Sequence, residues 1–333
     1  MRSLARGLGA AALVVLVAAA PAAAGDNDSP SSFTIEDPRI TESSGLAASR
    51  LHPGIFWTHN DSDDGPYVYA VDSATGRTVA TVTLSGIQPR DVEAISVGPG
   101  GRIHVGDIGD NLGGSWSEVW IYQFQEPKEL RNTTVTPVRY TVQYDGGPRD
   151  AESLMVHPKT GRAYIVSKHE EGGGLYRGPK ELSASGVNTF ERIADIDLWA
   201  TDGAFSPDGT RLVVRSYFSA AEYGWEGGLP ERIGQPSLPM QRQGESVTFS
   251  PDGRALMYGT EGAQSRVTRV ELRRELLPDS VAAEAGVKGG PSGREDKADE
   301  TGGDRDRNLL MGVLTFAAAT GLVMGLRKVF RRR

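Results

Sequence analysis

One pattern recurs five times along the chain and restricts its fold more than any other feature of the sequence. Each copy begins with polar residues, enters a short apolar strand, turns at a Pro/Gly-rich stretch and returns as a second apolar strand; the copies begin at Glu42, Asp91, Asp150, Thr201 and Gln243. These starts lie 42 to 59 residues apart, which is the length of a four-stranded β-propeller blade. We therefore predict an all-β fold, a propeller of five blades, or of six if a degenerate copy is present.

The turns between the two strands of each copy support this prediction. They include GPGG at 98–101 and SPDG at 206–209 and 250–253, in which proline presets φ and glycine adopts positive φ. A β-sandwich is the alternative, because it also contains many short strands. The segment SFTIE at 32–36 precedes the first copy, and we expect it to supply an outer strand that the last copy lacks, which would close the ring without a free sheet edge.

Two apolar runs outside the repeats predict the cellular location and membrane topology of the protein. Arg2 and Arg6 precede the apolar run 8–20 and the small residues 22–25, the pattern of a secretory signal peptide; a buried N-terminal helix is the alternative. A second apolar run, 309–326, is long enough to cross a bilayer core as a helix. Five basic residues follow it directly, so the positive-inside rule places the C-terminus in the cytoplasm.

These signals give a domain order for a single-pass type I protein of the cell membrane with an extracellular propeller. The segments are a signal peptide (1–24), a propeller domain (32–276), a disordered stalk (277–307), a transmembrane helix (308–326) and a basic cytoplasmic tail (327–333). The stalk is predicted because 278–307 lacks aromatic residues and cannot offset its ordering entropy. The absence of cysteine excludes disulfides and a cysteine nucleophile. A net charge of -7 argues against a nucleic-acid partner, and we expect a monomer.

Acidic residues recur at the starts of the first strands, which line the channel of a propeller. Alignment of the copies on Leu46, Ile95, Leu154, Phe205 and Val247 places Ser44, Glu93, Glu152, Gly203 and Glu245 two residues earlier, with Asp202 beside Gly203. Three glutamates in one channel repel each other unless they are protonated or bridged by a cation. Ca²⁺ suits such oxygen ligands, whereas zinc fits less well in a chain with five histidines and no cysteine. The alternative is that these acids cap neighbouring strands or pair with Arg90 and Arg149.

The ends of the second strands contribute further polar residues to the same channel mouth. Candidate catalytic residues are His59, Lys168, His169 and Arg215, and candidate ligand-binding residues on the rim are Asp61, Asp107, Asp110, Asn111 and Tyr217. His59 and His169 are expected at equivalent points of the first and third copies. We expect the main pocket to open on this side, with His59, Asp107, His169 and Arg215 approaching one cavity. The alternative is that these residues only satisfy one another in structural hydrogen bonds and ion pairs.

The pattern Ser44, Glu93, Glu152, a small or polar residue and Glu245 resembles the calcium-activated nucleotidases (apyrases), as does YAVDSATG at 69–76. That resemblance implies a five-bladed propeller whose central Ca²⁺ is held by Ser44, Glu93, Glu152, Asp202 and Glu245. The segments SGLA at 44–47 and AESLMV at 151–156 also resemble phytase-like and esterase-like secreted propellers. Over residues 40–272 the chain is similar to exported bacterial propellers of the loosely WD40-like group.

Two functions follow as hypotheses. The first is a surface module, stabilised by calcium, that binds a ligand, glycan or protein at the channel mouth without catalysis. The second is a Ca²⁺-dependent hydrolase of phosphate esters, nucleotides or lactones, in which the carboxylates act with Lys168, His169 and Arg215. The sequence has no G-x-S-x-G motif, which argues against a serine hydrolase. The fold alone does not decide between binding and catalysis.

Overall fold

Most of the chain between its two apolar ends forms short β-strands. The computed structural model describes residues 29–61 and 64–286, and within them it contains 21 strands. They are arranged in antiparallel groups of four that resemble propeller blades, here called units, and the strands of each unit are named in chain order. This mostly β architecture with blade-like sheets confirms the all-β part of the prediction.

The five units have the following strands. Unit 1 contains β2 (Ser43–Ala48), β3 (Ile55–Asn60), β4 (Tyr67–Asp72) and β5 (Thr78–Leu84); unit 2 contains β6 (Val92–Gly98), β7 (Arg102–Asp107), β8 (Val119–Gln125) and β10 (Val138–Tyr144). Unit 3 contains β11 (Ala151–Val156), β12 (Ala163–Ser167), β13 (Gly173–Arg177) and β14 (Val187–Ile196); unit 4 contains β15 (Ala200–Phe205), β16 (Arg211–Ser216), β17 (Ala220–Glu226) and β18 (Leu229–Gly234). Unit 5 contains β19 (Gly244–Phe249), β20 (Ala255–Thr260), β21 (Arg266–Glu271) and the N-terminal β1 (Phe33–Thr34).

Strand β1 completes the last unit, as predicted from the segment 32–36. It pairs antiparallel with β21, with Phe33 opposite Val267. The first strands of successive units contact one another in the order β2, β6, β11, β15, β19, and β19 contacts β2, so the series closes on itself. Two parallel pairings join neighbouring outer strands: β10 pairs with β14, and the short strand β9 (Thr133–Val135) pairs with β5.

Apolar side chains fill the spaces between adjacent units. Trp57 and Val68 of unit 1, for example, belong to the same buried cluster as Ile95 and Tyr122 of unit 2. Four further clusters occupy the other junctions, including one that joins Phe33 and Met257 of unit 5 to residues of unit 1. Each unit therefore buries both faces against its neighbours, which holds the first strands in place around a channel.

The SPDG turns have the geometry that their residues predict. In unit 4 the amide of Gly209 donates to the carbonyl of Ser206 at 2.9 Å, and in unit 5 the amide of Gly253 donates to that of Ser250 at 2.8 Å. Both glycines have positive φ, 72° and 68°, which a residue with a Cβ rarely adopts. These turns lie at the channel end opposite the starts of the first strands.

Part of the predicted stalk is folded. Residues Asp279–Glu284 form a short helix, α1, in which Val281 is buried against the unit 5 turn near Gly253 and Asp279 pairs with Arg211 at 2.8 Å. Placing a disordered segment from residue 277 onward is therefore wrong for residues 277–286. The buried Pro278 and Val281 and a few polar contacts anchor the segment, and its composition gave no sign of them.

The predicted targeting segments fall outside the described residues. The signal peptide (1–24), the remainder of the stalk, the transmembrane helix (308–326) and the basic tail (327–333) all lie there. Among the described residues, no helix has the length and apolar composition needed to cross a bilayer.

Candidate metal centre

Each first strand carries a β-bulge at the same point near its start. The extra residue is Ser44 in β2, Glu93 in β6, Glu152 in β11 and Thr201 in β15, and the irregular stretch of β19 contains Glu245. A bulge re-aims the side chain of the inserted residue and is common beside functional sites. The repeated bulge therefore gives Ser44, Glu93, Glu152 and Glu245 equivalent positions at one end of the channel.

The bulge in unit 4 corrects the sequence alignment. Gly203 pairs with Val214 in the way that Leu46 pairs with Thr58, so alignment of this copy on Phe205 is wrong by two residues. Thr201, and not Asp202, takes the position of the glutamates. The carboxylate of Asp202 instead accepts hydrogen bonds from the amides of Gly203 (2.7 Å) and Val247 (2.8 Å). This is the strand-capping alternative that the sequence left open.

A second set of equivalent positions lies just beyond the second strands. The amides of Asp61, Lys168 and Glu261 each donate to the carbonyl of the residue that precedes the first strand of the same unit, at 2.8, 2.9 and 3.1 Å. These three side chains therefore occupy the same point in units 1, 3 and 5. His59 pairs with Gly45, and its counterpart in unit 3 is Val166. The expected equivalence of His59 and His169 is wrong.

Three acids converge where units 1 and 2 meet. The carboxylate oxygens of Asp61, Asp91 and Glu93 lie within 4.8 Å of one another. Asp91 and Glu93 are 5% and 3% exposed, so water can neutralise little of their charge. Carboxylate groups this close, with the oxygen ligands that hard cations prefer, form a candidate site for a divalent metal ion. Here this group of three is called the acid cluster.

Neighbouring side chains hold the acid cluster in place. The buried carboxylate of Asp107 accepts from the amide of Asp91 at 2.8 Å and from the hydroxyl of Tyr122 at 3.0 Å, which fixes the start of β6. Asn111 donates its amide to Oδ2 of Asp91 at 3.2 Å. Ser44 donates its hydroxyl to Oε2 of Glu93 at 3.3 Å. Asp107, Asn111 and Ser44 therefore position the acids.

The electrostatics of the acid cluster favour protons or a cation. Burial, followed by the charges of Asp61 and other acids, raises the pKa of Asp91 to about 7. Burial also raises the pKa of Glu93 well above its ordinary value, and the charges of Asp61, Glu152 and Asp91 add to the increase. At neutral pH both carboxyl groups resist ionisation unless positive charge is supplied.

Glu152 obtains that positive charge from the chain itself. Lys168 forms a buried ion pair with Glu152, and its ammonium also lies 3.1 Å from the hydroxyl of Tyr217. Burial raises the pKa of Glu152, and the charge of Lys168 opposes that increase. The position equivalent to Lys168 in unit 1 is Asp61, so the acid cluster has a third carboxylate where Glu152 has an ammonium.

The other predicted members of the calcium shell do not join the acid cluster. Glu245 is buried, and burial together with the charge of Glu152 raises its pKa. The alternative partners Arg90 and Arg149 do not pair with these glutamates in the described part of the chain. The guanidinium of Arg90 stacks on Trp116 and Trp120, and that of Arg149 lies over Tyr176.

The candidate catalytic residues occupy separate surroundings. His59 is 1% exposed, its Nδ1 lies 2.9 Å from the carbonyl of Asn60, and burial lowers its pKa. Arg215 is fully buried and donates to the carbonyls of Ser246 (2.8 Å) and Gly259 (3.0 Å) in unit 5. His169 is exposed, and its Nδ1 accepts from the amide of Glu171 at 3.2 Å. None of the three is placed to act with the others.

Asp110 also has a local structural role. Its carboxylate accepts from the amide of Trp116 at 2.6 Å and from the hydroxyl of Ser115 at 3.0 Å. Its own amide donates to Oδ1 of Asp150 at 2.8 Å. Asp110 thus shapes the loop that carries Asn111 to the acid cluster, and does not itself point to a ligand.

The cavities differ from the expected single pocket. His59 and Asp61 line a cavity of about 20 Å³, a cavity of about 290 Å³ lies at the turn end of the channel, and one of about 580 Å³ lies against the outer strands of unit 1. Asp107, His169 and Arg215 line none of these three. The side chains of His59 and Arg215 lie between units, which explains why they share no cavity although the strands pair as predicted.

Asp91 is the ligand candidate that the sequence analysis missed. It was identified only as the start of a repeat. Of the two acids at the start of β6, Glu93 was assigned to the metal and Asp91 was not. Residues two apart on a strand share a face, so the pair Asp91 and Glu93 carried a usable signal. The approach of Asp61 from the preceding unit could not be found this way, because it depends on how two units pack.

We expect the stability of the cation-free protein to fall as the pH rises from 7 to 9. The pKa of Asp91 is raised to about 7 and that of Glu93 well above its ordinary value, so the folded state holds these protons more tightly than the unfolded state does. Stability gained from that protonation is lost as the pH rises through these values. Burial lowers the pKa of His59 and His104, which gives the opposite trend, but only below about pH 6.5.

Thermal unfolding followed by circular dichroism in the presence of chelator measures this dependence. The melting temperature should fall by several degrees over the window and fall less with millimolar Ca²⁺. A melting temperature that rises from pH 7 to pH 9 in chelator would contradict this prediction, because it would show that folding does not raise the pKa values of these carboxyl groups.

Comparison with known proteins shows only distant structural similarity. No protein-family profile and no curated protein sequence match the chain. The soluble aldose sugar dehydrogenase of Escherichia coli is 12% identical with a TM-score of 0.45, over 73% of this chain and 99% of that one. A gluconolactonase of Xanthomonas campestris is 16% identical with a TM-score of 0.44, over 72% of this chain and 89% of that one. Similarity this distant carries no conclusion about activity, and the resemblance to nucleotidases stays a prediction.

Proposed function

We propose that this protein is a five-bladed β-propeller that binds a divalent cation, Ca²⁺ by its ligand chemistry, through Asp61, Asp91 and Glu93, and presents the channel mouth around it to a ligand, glycan or protein. The terminal apolar runs support the further proposal that the propeller is extracellular, monomeric and held at the cell membrane by residues 308–326. In this proposal the cation stabilises the junction of units 1 and 2, and its open coordination positions face the mouth.

The observation that carries the proposal is the contrast between two equivalent places. At Glu152 the buried carboxylate is paired with Lys168. At Glu93 the corresponding neighbour is Asp61, and Asp91 adds another carboxylate. An external cation would neutralise Glu93 as the ammonium of Lys168 neutralises Glu152. Its binding would also remove the repulsion among the three carboxylates.

Binding is favoured over hydrolysis because the residues needed for hydrolysis are engaged elsewhere. Lys168 is paired with Glu152, and Arg215 donates to backbone carbonyls between units. His169 is exposed and belongs to a separate turn. No described residue among these is free to bind a phosphate or polarise an ester beside the acid cluster.

A cation-dependent melting experiment tests the proposal. At a Ca²⁺ concentration a hundredfold above Kd, binding to the folded state alone adds about 2.7 kcal/mol of stability, which raises the melting temperature by several degrees. Asp91→Asn should remove most of this increase. Glu170→Gln, which neutralises an exposed acid in the loop after β12, is the matched control and should respond like the original protein. An equal response of Asp91→Asn and Glu170→Gln would place the cation elsewhere.

A further inference from the structure

The end of the channel opposite the acid cluster contains a separate cavity of about 290 Å³. It is lined by the second halves of the first strands and by the turns that follow them. Its lining residues include Leu46, Arg50, Ser96, Val156, Thr248 and Phe249. None of the acid cluster residues is among them, so this chamber is a distinct candidate site.

The chamber contains one positive charge and no negative one. None of the sixteen lining residues is an Asp or Glu, and the single charged residue among them is an arginine. Leu46, Ile95, Val156, Phe205 and Phe249 contribute hydrocarbon side chains to a lining that also has polar groups. Cavities that combine hydrocarbon side chains with a few placed polar groups are typical small-molecule sites.

Arg50 has hydrogen-bonding capacity to spare. Its Nε donates to the carbonyl of Val97 at 3.2 Å, and its two Nη atoms have no protein partner among the described residues. Thr248 also lines the chamber, and its hydroxyl has no partner within the described part of the chain. The hydroxyl of Ser96 accepts from the amide of Val156 at 3.0 Å, so its own proton remains to be donated. Arg50, Thr248 and Ser96 therefore offer three donors to a ligand in a chamber without a negative charge.

The turn that carries Arg50 is held rigidly. The carboxylate of Glu126, 1% exposed, accepts from the hydroxyl of Ser49, from the amides of Arg50 (3.3 Å) and Leu51 (3.2 Å) and from the indole of Trp57 (2.7 Å). These bonds fix the backbone at the rim of the chamber. Less conformational entropy is then lost when a ligand binds to the guanidinium.

We propose that this chamber binds a small apolar monoanion, a carboxylate attached to a compact aliphatic or aromatic body. The carboxylate pairs with the Nη atoms of Arg50, and the hydroxyls of Thr248 and Ser96 donate to its oxygens or to a neighbouring polar atom. The hydrocarbon body lies against Leu46, Val156 and Phe249. A single cation without a second basic residue suits one negative charge and not a phosphate dianion. The site is independent of the cation at the other mouth.

Equilibrium dialysis of the full-length chain in lipid nanodiscs, with empty nanodiscs as the blank, tests this proposal. The probes are benzoate and 2-naphthoate, with the neutral 2-naphthalenemethanol as the uncharged analogue. We expect saturable binding of at least one carboxylate at one site per chain, unchanged by chelator. Arg50→Gln should weaken it about tenfold or more, since a charge-assisted hydrogen bond contributes about 1.5–3 kcal/mol. The alcohol should bind more weakly than the carboxylates, and Arg50→Gln should not change its affinity.

Arg102→Gln is the matched control, because Arg102 is an exposed arginine beside a turn at the same end and does not line the chamber. It should bind the carboxylates as the original protein does, and both variants should keep the original melting temperature. Saturable binding of neither carboxylate overturns the proposal. Equal affinity of Arg50→Gln and Arg102→Gln also overturns it, because the anion would then bind elsewhere.

Discussion

Replacing Glu126 with alanine should destabilise the protein by about 3–5 kcal/mol, a fall of roughly 10 °C in melting temperature. The side chain is 1% exposed and accepts from the hydroxyl of Ser49, two amides of the following turn and the indole of Trp57. Removal of the carboxylate would leave these donors buried without an acceptor. Chemical denaturation followed by tryptophan fluorescence gives the free energy of unfolding.

Glu129→Ala is the control for this prediction. Glu129 lies three residues further along, is exposed and, among the described residues, forms an ion pair only with the exposed Arg131, so its loss should change stability by about 0.5 kcal/mol or less. If Glu126→Ala and Glu129→Ala unfold at the same denaturant concentration, Glu126 does not anchor the turn. The inference that Glu126 holds the turn of Arg50 in place would then be wrong as well.

Glu93→Gln should have effects of opposite sign with and without the cation. In chelator the substitution removes a buried carboxyl group whose ionisation is opposed by Asp61, Asp91 and Glu152. Glutamine has the same shape and can keep the hydrogen bond from Ser44. We therefore expect the cation-free variant to melt a few degrees higher than the original protein at pH 8, and the increase with Ca²⁺ to be nearly abolished.

The variant Glu245→Gln tests whether the cation binds at the acid cluster or to the buried acids of the channel in general. Glu245 lies in the equivalent bulge, is buried and has a raised pKa, but is not one of the three clustered acids. This variant should also be stabilised in chelator, yet keep the response to Ca²⁺. If it loses the response as fully as Glu93→Gln does, the cation is held centrally by the whole ring of glutamates.

Local sequence signals were sufficient for the strand pattern. The alternation of apolar strands and Pro/Gly turns identified the first two strands of each unit, and the leftover segment at 32–36 indicated the strand that completes unit 5. The outer strands were harder to predict from the sequence. Strand β10, for example, pairs with β8 and also, in parallel, with β14 of the next unit, a pairing that depends on contacts between units.

The candidate site was predicted in part, and the errors have physical causes. Glu93 was identified because acids recur at the strand starts. In unit 4, however, Gly203 stands where the other copies have their first apolar residue, so Asp202 was aligned with the wrong position. Polar residues at strand ends were assumed to face the channel. His59 and Arg215 instead lie between units, where Gly45 leaves room for the imidazole: a Cβ at Gly45 would lie 2.6 Å from Nε2 of His59.

A crystal structure of the protein grown with Ca²⁺ is the most direct test of the cation site. We expect an ion at the junction of units 1 and 2, bound to carboxylate oxygens of Asp61, Asp91 and Glu93 at about 2.3–2.6 Å, with waters completing six to eight ligands. An ion coordinated instead by Glu152 and Glu245 on the channel axis, or no ion beside Asp61, Asp91 and Glu93 at saturating Ca²⁺, would contradict the proposed site.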